Sequence, residues 1–254
     1  MADKPFNHAA VLGSGMAGLV TARVLSEFFD RVTLFEKDSV PASPDFRPGV
    51  PQGRHFHALI PGGLEIMSRL LPGIMEDLRA AGSLLPGPDQ FYFFMPQGKS
   101  YALGQYVPEP QKDTGERRMY VQTRGLLEHC VRSRVEAIEN VEARYETTIR
   151  EVLATDSRVT GVIVDGSGEE VEADLVVDAL GRGGRSLQWL DKMGYARPDE
   201  DVVNCDFAYT SVFMKPNDPD LFTDVGFFVL PGPDGEHTTR GAALVRMEKG
   251  LWLA

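Results

Sequence analysis

Ala9-Ala-Val-Leu-Gly13-Ser-Gly15-Met-Ala-Gly18 is the stretch that decides the fold. An apolar run of strand length ends there in three glycines, at the spacing of a dinucleotide-binding loop. Leu19-Val-Thr-Ala-Arg-Val-Leu25 continues with helical character and places Leu19, Val20, Val24 and Leu25 on one side. Val32-Thr-Leu-Phe-Glu36-Lys37 then reads as a second strand closing on an acid. Each residue type has a physical reason. Gly13 permits a tight turn out of the strand, Gly15 lets a pyrophosphate approach the backbone, and Gly18 lets the helix lie close to the sheet. The helix N-terminus offers N–H groups and a positive dipole end to phosphates. Glu36 stands where an acid accepts hydrogen bonds from a ribose. A lone glycine cluster is weak, and its plain alternative is a turn that binds nothing. Strand, helix and distal acid together favour a dinucleotide, without deciding between FAD and NAD.

The composition is that of a globular protein: 254 residues, 43% hydrophobic and 25% charged. A net charge of −11 argues against a nucleic-acid or anionic-membrane partner. No stretch reaches the length of a transmembrane helix, and Met1-Ala-Asp-Lys-Pro lacks the apolar core of a signal peptide. Cys130 and Cys205 show no metal spacing and read as free buried thiols of a reducing compartment. The expectation is a cytoplasmic protein with no integral membrane segment.

A proline-rich loop from Ser39 to His57 carries Arg47, Arg54, His55 and His57. Its prolines exclude a helix. Its arginines suit a pyrophosphate, with a solvated loop as the alternative. The histidines read as packed imidazoles. Leu64, Met67, Leu70, Leu71, Met75 and Leu78 mark two helices broken at Pro72-Gly73. Gln90–Met95 and Lys99–Leu103 read as an aromatic hairpin, equally suited to an apolar pocket or to sheet core. Residues 107–118 read as a mobile crossing loop. Thr123 is the expected N-cap of a helix bearing Leu126, Leu127, Cys130, Val131 and Val135 on one face. Arg124 then sits at a helix start, against the macrodipole, which invites a functional reading. Strands follow at Val141–Tyr145, Thr148–Leu153, Arg158–Val164 and Glu170–Glu172. Leu175-Val-Val-Asp178 is a buried parallel-type strand that closes on an acid and the glycines Gly181, Gly183 and Gly184. A short helix opens at Ser186. An antiparallel sheet is expected over Val202–Phe207, Tyr209–Met214, Gly226–Leu230 and Gly241–Arg246, completed by the aromatic hairpin, with a turn at Pro231–Gly235. The chain closes on an apolar strand-like run.

Three stretches together resemble the class A FAD-dependent monooxygenases, in the branch of aromatic hydroxylases and polyketide epoxidases. They are Gly13-x-Gly-x-x-Gly18 with Glu36; Arg47-Pro-Gly-Val-Pro-Gln-Gly-Arg54-His-Phe-His; and Ala173-Asp-Leu-Val-Val-Asp-Ala-Leu-Gly-Arg-Gly-Gly-Arg185 with Trp189-Leu190. The resemblance implies an α/β fold: a glutathione-reductase-type Rossmann FAD-binding domain (1–86 and 118–186) with an inserted, mainly antiparallel β substrate domain (87–117 and 187–254). It implies FAD as cofactor, NADH or NADPH as reductant, and molecular oxygen and a small apolar alkene or aromatic as partners. The cofactor-binding residues it points to are Gly13, Gly15, Met16, Ala17, Gly18, Glu36, Lys37, Arg47, Gln52, Arg54, Arg124, Ile149, Asp178 and Gly181. Glu36 would hold the adenosine ribose, Gly15 to Ala17 the pyrophosphate, Arg47 and Arg124 the phosphates or ribityl chain, and the backbone near Ile149 the adenine. Val50 to Arg54 would lie by the flavin ring. No catalytic side chain and no metal ligand is assigned, since the cofactor carries the chemistry. Two departures stand out. Gly184 occupies a position where serine is expected. The family's third, Gly-Asp-Ala-type motif and its C-terminal helices do not occur before Ala254, so a C-terminally truncated chain is expected. The alternatives are a flavin-binding module with little activity, or a flavin-dependent reductase or dehydrogenase.

Overall fold

The computed structural model describes residues 4–95, 100–102, 119–155, 158–204, 208–218, 222–231 and 240–254. In chain order its first elements are β1 (Phe6–Leu12), α1 (Met16–Leu25), β2 (Phe29–Phe35), β3 (Ala58–Leu59), α2 (Pro61–Leu70), α3 (Ile74–Ala80), β4 (Phe91–Phe94), β5 (Ser100–Ala102), β6 (Tyr120–Val121) and α4 (Arg124–Glu136). Then come β7 (Val141–Arg144), β8 (Ile149–Thr155), β9 (Arg158–Val164), β10 (Glu170–Glu172), β11 (Leu175–Asp178), α5 (Ser186–Lys192), β12 (Phe213–Met214), β13 (Gly226–Val229), β14 (Ala242–Arg246) and β15 (Trp252–Leu253). They form two compact units, Met1–Val50 with Glu128–Phe207 and Pro51–Leu127 with Ala208–Ala254. These units divide the chain differently from the domains read in the sequence: the segments 51–86 and 118–127 belong to the second unit, and residues 187–207 to the first.

The first unit is built on a four-stranded parallel sheet in the order β11-β1-β2-β7. Leu12 pairs with both Phe35 and Asp178, and Phe35 with Arg144, so the strands' carboxyl ends align in one row. Ala9 to Leu12 are fully enclosed, as expected of a strand covered on both faces. The expected strands from 148 to 172 form a separate antiparallel sheet, β10-β9-β8. Ile149, Val162 and Val164 of that sheet share a core with Ala10, Leu12 and Phe35, and Trp189 of α5 closes it.

The second unit holds a six-stranded sheet, β12-β15-β14-β13-β4-β5. The aromatic hairpin forms and joins it, with Phe93 opposite Tyr101. One junction differs from the expected antiparallel arrangement: β13 runs parallel to β4, with Gly226 opposite Phe91. A Cβ on Gly226 would lie 2.5 Å from the Phe91 ring, so glycine there makes room for that buried side chain. The expected strand at 202–207 is absent over its described residues, 202–204, which are exposed. The strand expected at Tyr209–Met214 shortens to Phe213–Met214. These stretches are rich in β-formers, but propensity makes no strand without a ladder partner. The 107–118 segment, Cys205 and most of the Pro231–Gly235 turn lie outside the described residues; Cys130 is buried and forms no disulfide among the described residues. Among the described residues, no helix is long and apolar enough to cross a membrane.

Alternation settles what the hairpin's aromatic residues do. Phe91 and Phe93 pack into a core with Val225, Phe228, Val245 and Leu253. Tyr92 faces the other way, stacked on Phe227 at 6.0 Å, and Phe227 in turn stacks on Trp252 at 6.4 Å. Period two thus gives the hairpin one core face and one aromatic outer face.

The start of α4 is fixed by a residue that sequence reasoning passed over. Thr123 Oγ1 accepts from Leu126 N at 3.2 Å, which makes it the expected N-cap. Buried Glu248 then accepts from Thr123 N at 2.9 Å and from Thr123 Oγ1 at 2.5 Å. Glu248→Ala should destabilise the protein by about 2–3 kcal/mol in urea unfolding, because a buried N–H and the cap lose their acceptor together. Glu248→Gln, which keeps one acceptor oxygen, should lose roughly half as much.

Candidate cofactor-binding site

The site is built where β1, β2 and β11 of the first unit end together. Gly13 leaves β1 at φ +99°, and its N–H donates to Phe35 O at 2.7 Å. A Cβ on Gly13 would stand 2.7 Å from Ala179 O, and one on Gly18 would stand 1.8 Å from Gly13 O. Both glycines are therefore demanded by the backbone's own packing. Gly15 differs, because a Cβ there meets nothing within 4 Å. It is the N-cap of α1, with no side-chain cap and no acid in the first turn. Ten residues of helix thus direct an uncapped, positive end into open space beside Met16 and Ala17.

Glu36 lies one residue past β2 and is 5% exposed. Its Oε2 accepts from Ser14 N at 2.9 Å, Ser14 Oγ at 2.8 Å and Arg47 Nη1 at 2.8 Å. Among the described residues its Oε1 accepts only from Asp38 N, at 3.1 Å. Burial pushes this carboxyl up, but the Ser14 and Asp38 N–H groups and the Arg47 guanidinium outweigh it and hold the group below its ordinary range. One oxygen is saturated and the other keeps acceptor capacity for a hydroxyl. Asp178 repeats the pattern at the end of β11. Its Oδ2 accepts from Arg185 N and Ser186 N, both at 3.2 Å, and from Ser186 Oγ at 2.5 Å. Its Oδ1 accepts from Leu180 N at 2.9 Å. The hydroxyl expected at position 184 is supplied from position 186. A Cβ on Gly184 would come within 3.1 Å of Gly181 O, which leaves little room for serine there.

Gly13, Gly15, Met16, Ala17, Gly18, Glu36, Asp178 and Gly181 are thus gathered at one sheet edge, and Gly181 takes φ +62°. Arg47 is drawn onto Glu36 and is buried. Lys37 turns outward, exposed, and the Ile149 side chain is packed into the core. Gln52, Arg54 and Arg124 belong to the second unit, where Gln52 and Arg54 are exposed in the turn Pro51–Arg54 and Arg124 is buried at the first position of α4. There His55 Nδ1 meets Ser211 Oγ at 2.9 Å and His57 Nδ1 meets the His55 carbonyl at 2.9 Å. Burial lowers the His57 pKa, and the nearby Arg124 cation lowers it further. Both rings are thus the packed imidazoles that the sequence suggested. The residues not anticipated are Ser14, Ser186 and Glu128. Ser14 sits inside the glycine motif as a variable position, and Glu128 is 81 residues from the Arg47 it binds.

No family model matches the sequence. The chain is 36% identical to Protein Rv3254 of Mycobacterium tuberculosis, over 98% of this chain and 52% of that protein. It therefore spans about half the length of the curated relative it matches. Among solved structures, p-nitrophenol 4-monooxygenase PnpA from Pseudomonas putida superposes with a TM-score of 0.63 at 20% identity, over 99% of this chain and 57% of that one. PqsL from Pseudomonas aeruginosa, described as a probable FAD-dependent monooxygenase, superposes with a TM-score of 0.61 at 14% identity, over 98% and 59%. The mixed α/β fold is therefore shared with FAD-dependent monooxygenase structures.

Gly18→Ala should lower stability by about 2–4 kcal/mol, since its Cβ collides with a backbone carbonyl. Gly15→Ala should stay within about 1 kcal/mol of the parent in the same urea titration. Arg47→Leu strands two buried carboxylates and should cost about 3–5 kcal/mol at neutral pH. The Glu36 pKa lies below 4.5, so its ion pair contributes above that pH and is lost as pH falls through the lowered value. The gap between parent and Arg47→Leu should therefore narrow in titrations carried below pH 4.5.

Proposed function

We propose that this chain binds FAD and belongs to a flavin-dependent monooxygenase that uses NADH or NADPH and molecular oxygen on a small apolar alkene or aromatic substrate. The observation that carries it is the one sheet edge at which an uncapped helix N-terminus, an open Gly15 and two acids with spare acceptor oxygens meet. The residues fit such a cofactor. The N–H groups at Met16 and Ala17 bind the pyrophosphate, and Gly15 admits it to the backbone. Glu36 Oε1 accepts from the adenosine ribose, with Lys37 at the rim. Arg47 offsets phosphate charge. Asp178 Oδ1 and the Gly181 backbone hold the ribityl chain, and the backbone near Ile149 borders the adenine. When bound, the flavin supplies oxygen activation, passing one atom of O2 to the substrate and the other to water. In the second unit half-buried Tyr92 and Phe227, stacked over buried Trp252, supply apolar contact area suited to a ring or an alkene.

The test is a visible absorption spectrum of the purified chain after addition of FAD and desalting. A retained flavin band supports the reading, and a colourless protein that also fails to bind FAD in dialysis overturns it. Gly15→Ala should fold like the parent yet weaken FAD binding by at least about tenfold, because only the ligand occupies the space its methyl takes. With FAD bound, labelled O2 and NADH or NADPH separate the reactions. Label in an alkene or aromatic product supports the monooxygenase, and substrate turnover without label assigns a flavin-dependent reductase or dehydrogenase instead.

A further inference from the structure

Arg47 is held by two buried carboxylates, Glu36 and Glu128, with Asp38 at longer range, and of the two buried ones Glu36 stands at the sheet edge. Arg47 Nη1 lies 2.8 Å from Glu36 Oε2 and 3.5 Å from Asp38 Oδ2. On its other side Nε donates to Glu128 Oε1 at 2.7 Å. Nη2 makes no hydrogen bond among the described residues. Glu128 is 4% exposed and rides on the thirteen-residue helix α4, a rigid base for a contact to a loop residue. Arg132, one helical turn further on, places Nη2 at 3.8 Å from the same Glu128 oxygen. Two buried arginines therefore face two buried glutamates, with half-buried Asp38 at the margin.

This arrangement settles which corner of the Arg47 fork is left over. Without an acceptor at Nε, a buried arginine turns its planar fork onto the nearest carboxylate and binds it through two parallel bonds. On Glu36 that would occupy both carboxylate oxygens and consume Nη2. Glu128 prevents this by tying Nε from the opposite side, so Arg47 meets Glu36 through Nη1 alone. Glu36 Oε1 then keeps its acceptor site, and Arg47 keeps Nη2.

We propose that Glu128 is a positioning residue for the ADP half of the cofactor: it orients Arg47 so that Nη2 is left for a phosphate and Glu36 Oε1 for the ribose. This rests on the flavin reading above. It concerns a residue that touches no ligand itself and acts only through Arg47.

The test compares the parent chain, Glu128→Gln, Glu128→Leu and Arg47→Lys, using FAD, ADP and riboflavin as probes in equilibrium dialysis, with urea unfolding of each cofactor-free protein alongside. Glu128→Gln keeps an acceptor for Nε and should bind FAD and ADP within about threefold of the parent. Glu128→Leu should weaken FAD and ADP alike by at least about tenfold, and riboflavin, which lacks the ADP half, by less than about twofold. Arg47→Lys keeps the charge but not the fork and should resemble Glu128→Leu. The Arg47 Nε–H resonance should be protected from solvent exchange in the parent and in Glu128→Gln. A Glu128→Leu protein with parental affinity for FAD and ADP overturns the proposal. So does an equal loss for Gln and Leu, which would make charge, not orientation, the cause. If Glu128→Leu does not fold, the Gln and Lys variants decide: parental affinity in Lys, or a tenfold loss in Gln, overturns it. A parent chain that binds neither FAD nor ADP removes the flavin reading itself, which is a separate outcome.

Discussion

Everything at the sheet edge depends on one close approach, that of the α1 backbone at Gly18 to the carbonyl of Gly13. No side chain fits between them. This contact seats the helix against the turn, which brings Ser14 N–H onto Glu36 and leaves the helix N-terminus open. A single methyl at position 18 would push the helix off the strand and unmake the other contacts together. The neighbouring glycine at position 15 carries no such packing demand, and that contrast separates a glycine the fold needs from one that leaves space for a ligand.

The acids of this protein hold backbone before they can hold anything else. Glu36 takes the N–H groups of Ser14 and Asp38, Asp178 those of Leu180, Arg185 and Ser186, and Glu248 that of Thr123. Such carboxylates are fixed in place by several bonds to main chain, so their remaining lone pairs point in set directions. A ligand hydroxyl meeting Glu36 or Asp178 finds an acceptor already oriented, at little further cost in side-chain entropy. The buried cation of Arg47 belongs to the same design, since two carboxylates offset the loss of its hydration and its orientation is shared between them.

In the second unit the governing rule is strand alternation. A run as uniformly aromatic as Phe91-Tyr-Phe-Phe94 has no visible inside in its composition. Only pairing gives it one: Gly226 opens a slot for Phe91, Phe93 stacks on Phe228 at 5.0 Å, and Tyr92 is left on the opposite face with Phe227. The same sheet contains the parallel junction that the order of strands in the chain did not suggest, because β4 and β13 are separated by over a hundred residues and pair across that distance.

The sequence by itself determined the β1–glycine–α1–β2 unit, the acid closing β2, the break between α2 and α3, the Thr123 cap and the strand that closes on Asp178. All of these are local: apolar period, glycine spacing and cap chemistry act within a few residues and leave their mark there. Only the tertiary structure decided which glycine packs and which stays open, which faces of the hairpin are core, and where the arginines go. Nothing in the spacing of Arg47 points to Glu128, which meets it from a helix 81 residues away. Nor does it show that Arg47 is already paired within the protein. Likewise the described residues of the 202–212 stretch, 202–204 and 208–212, lie in a run with the composition of strands and form none, since a strand exists only where another backbone completes its hydrogen bonds. Partners distant in the chain are chosen by packing, and packing leaves no periodic trace in the residues it joins.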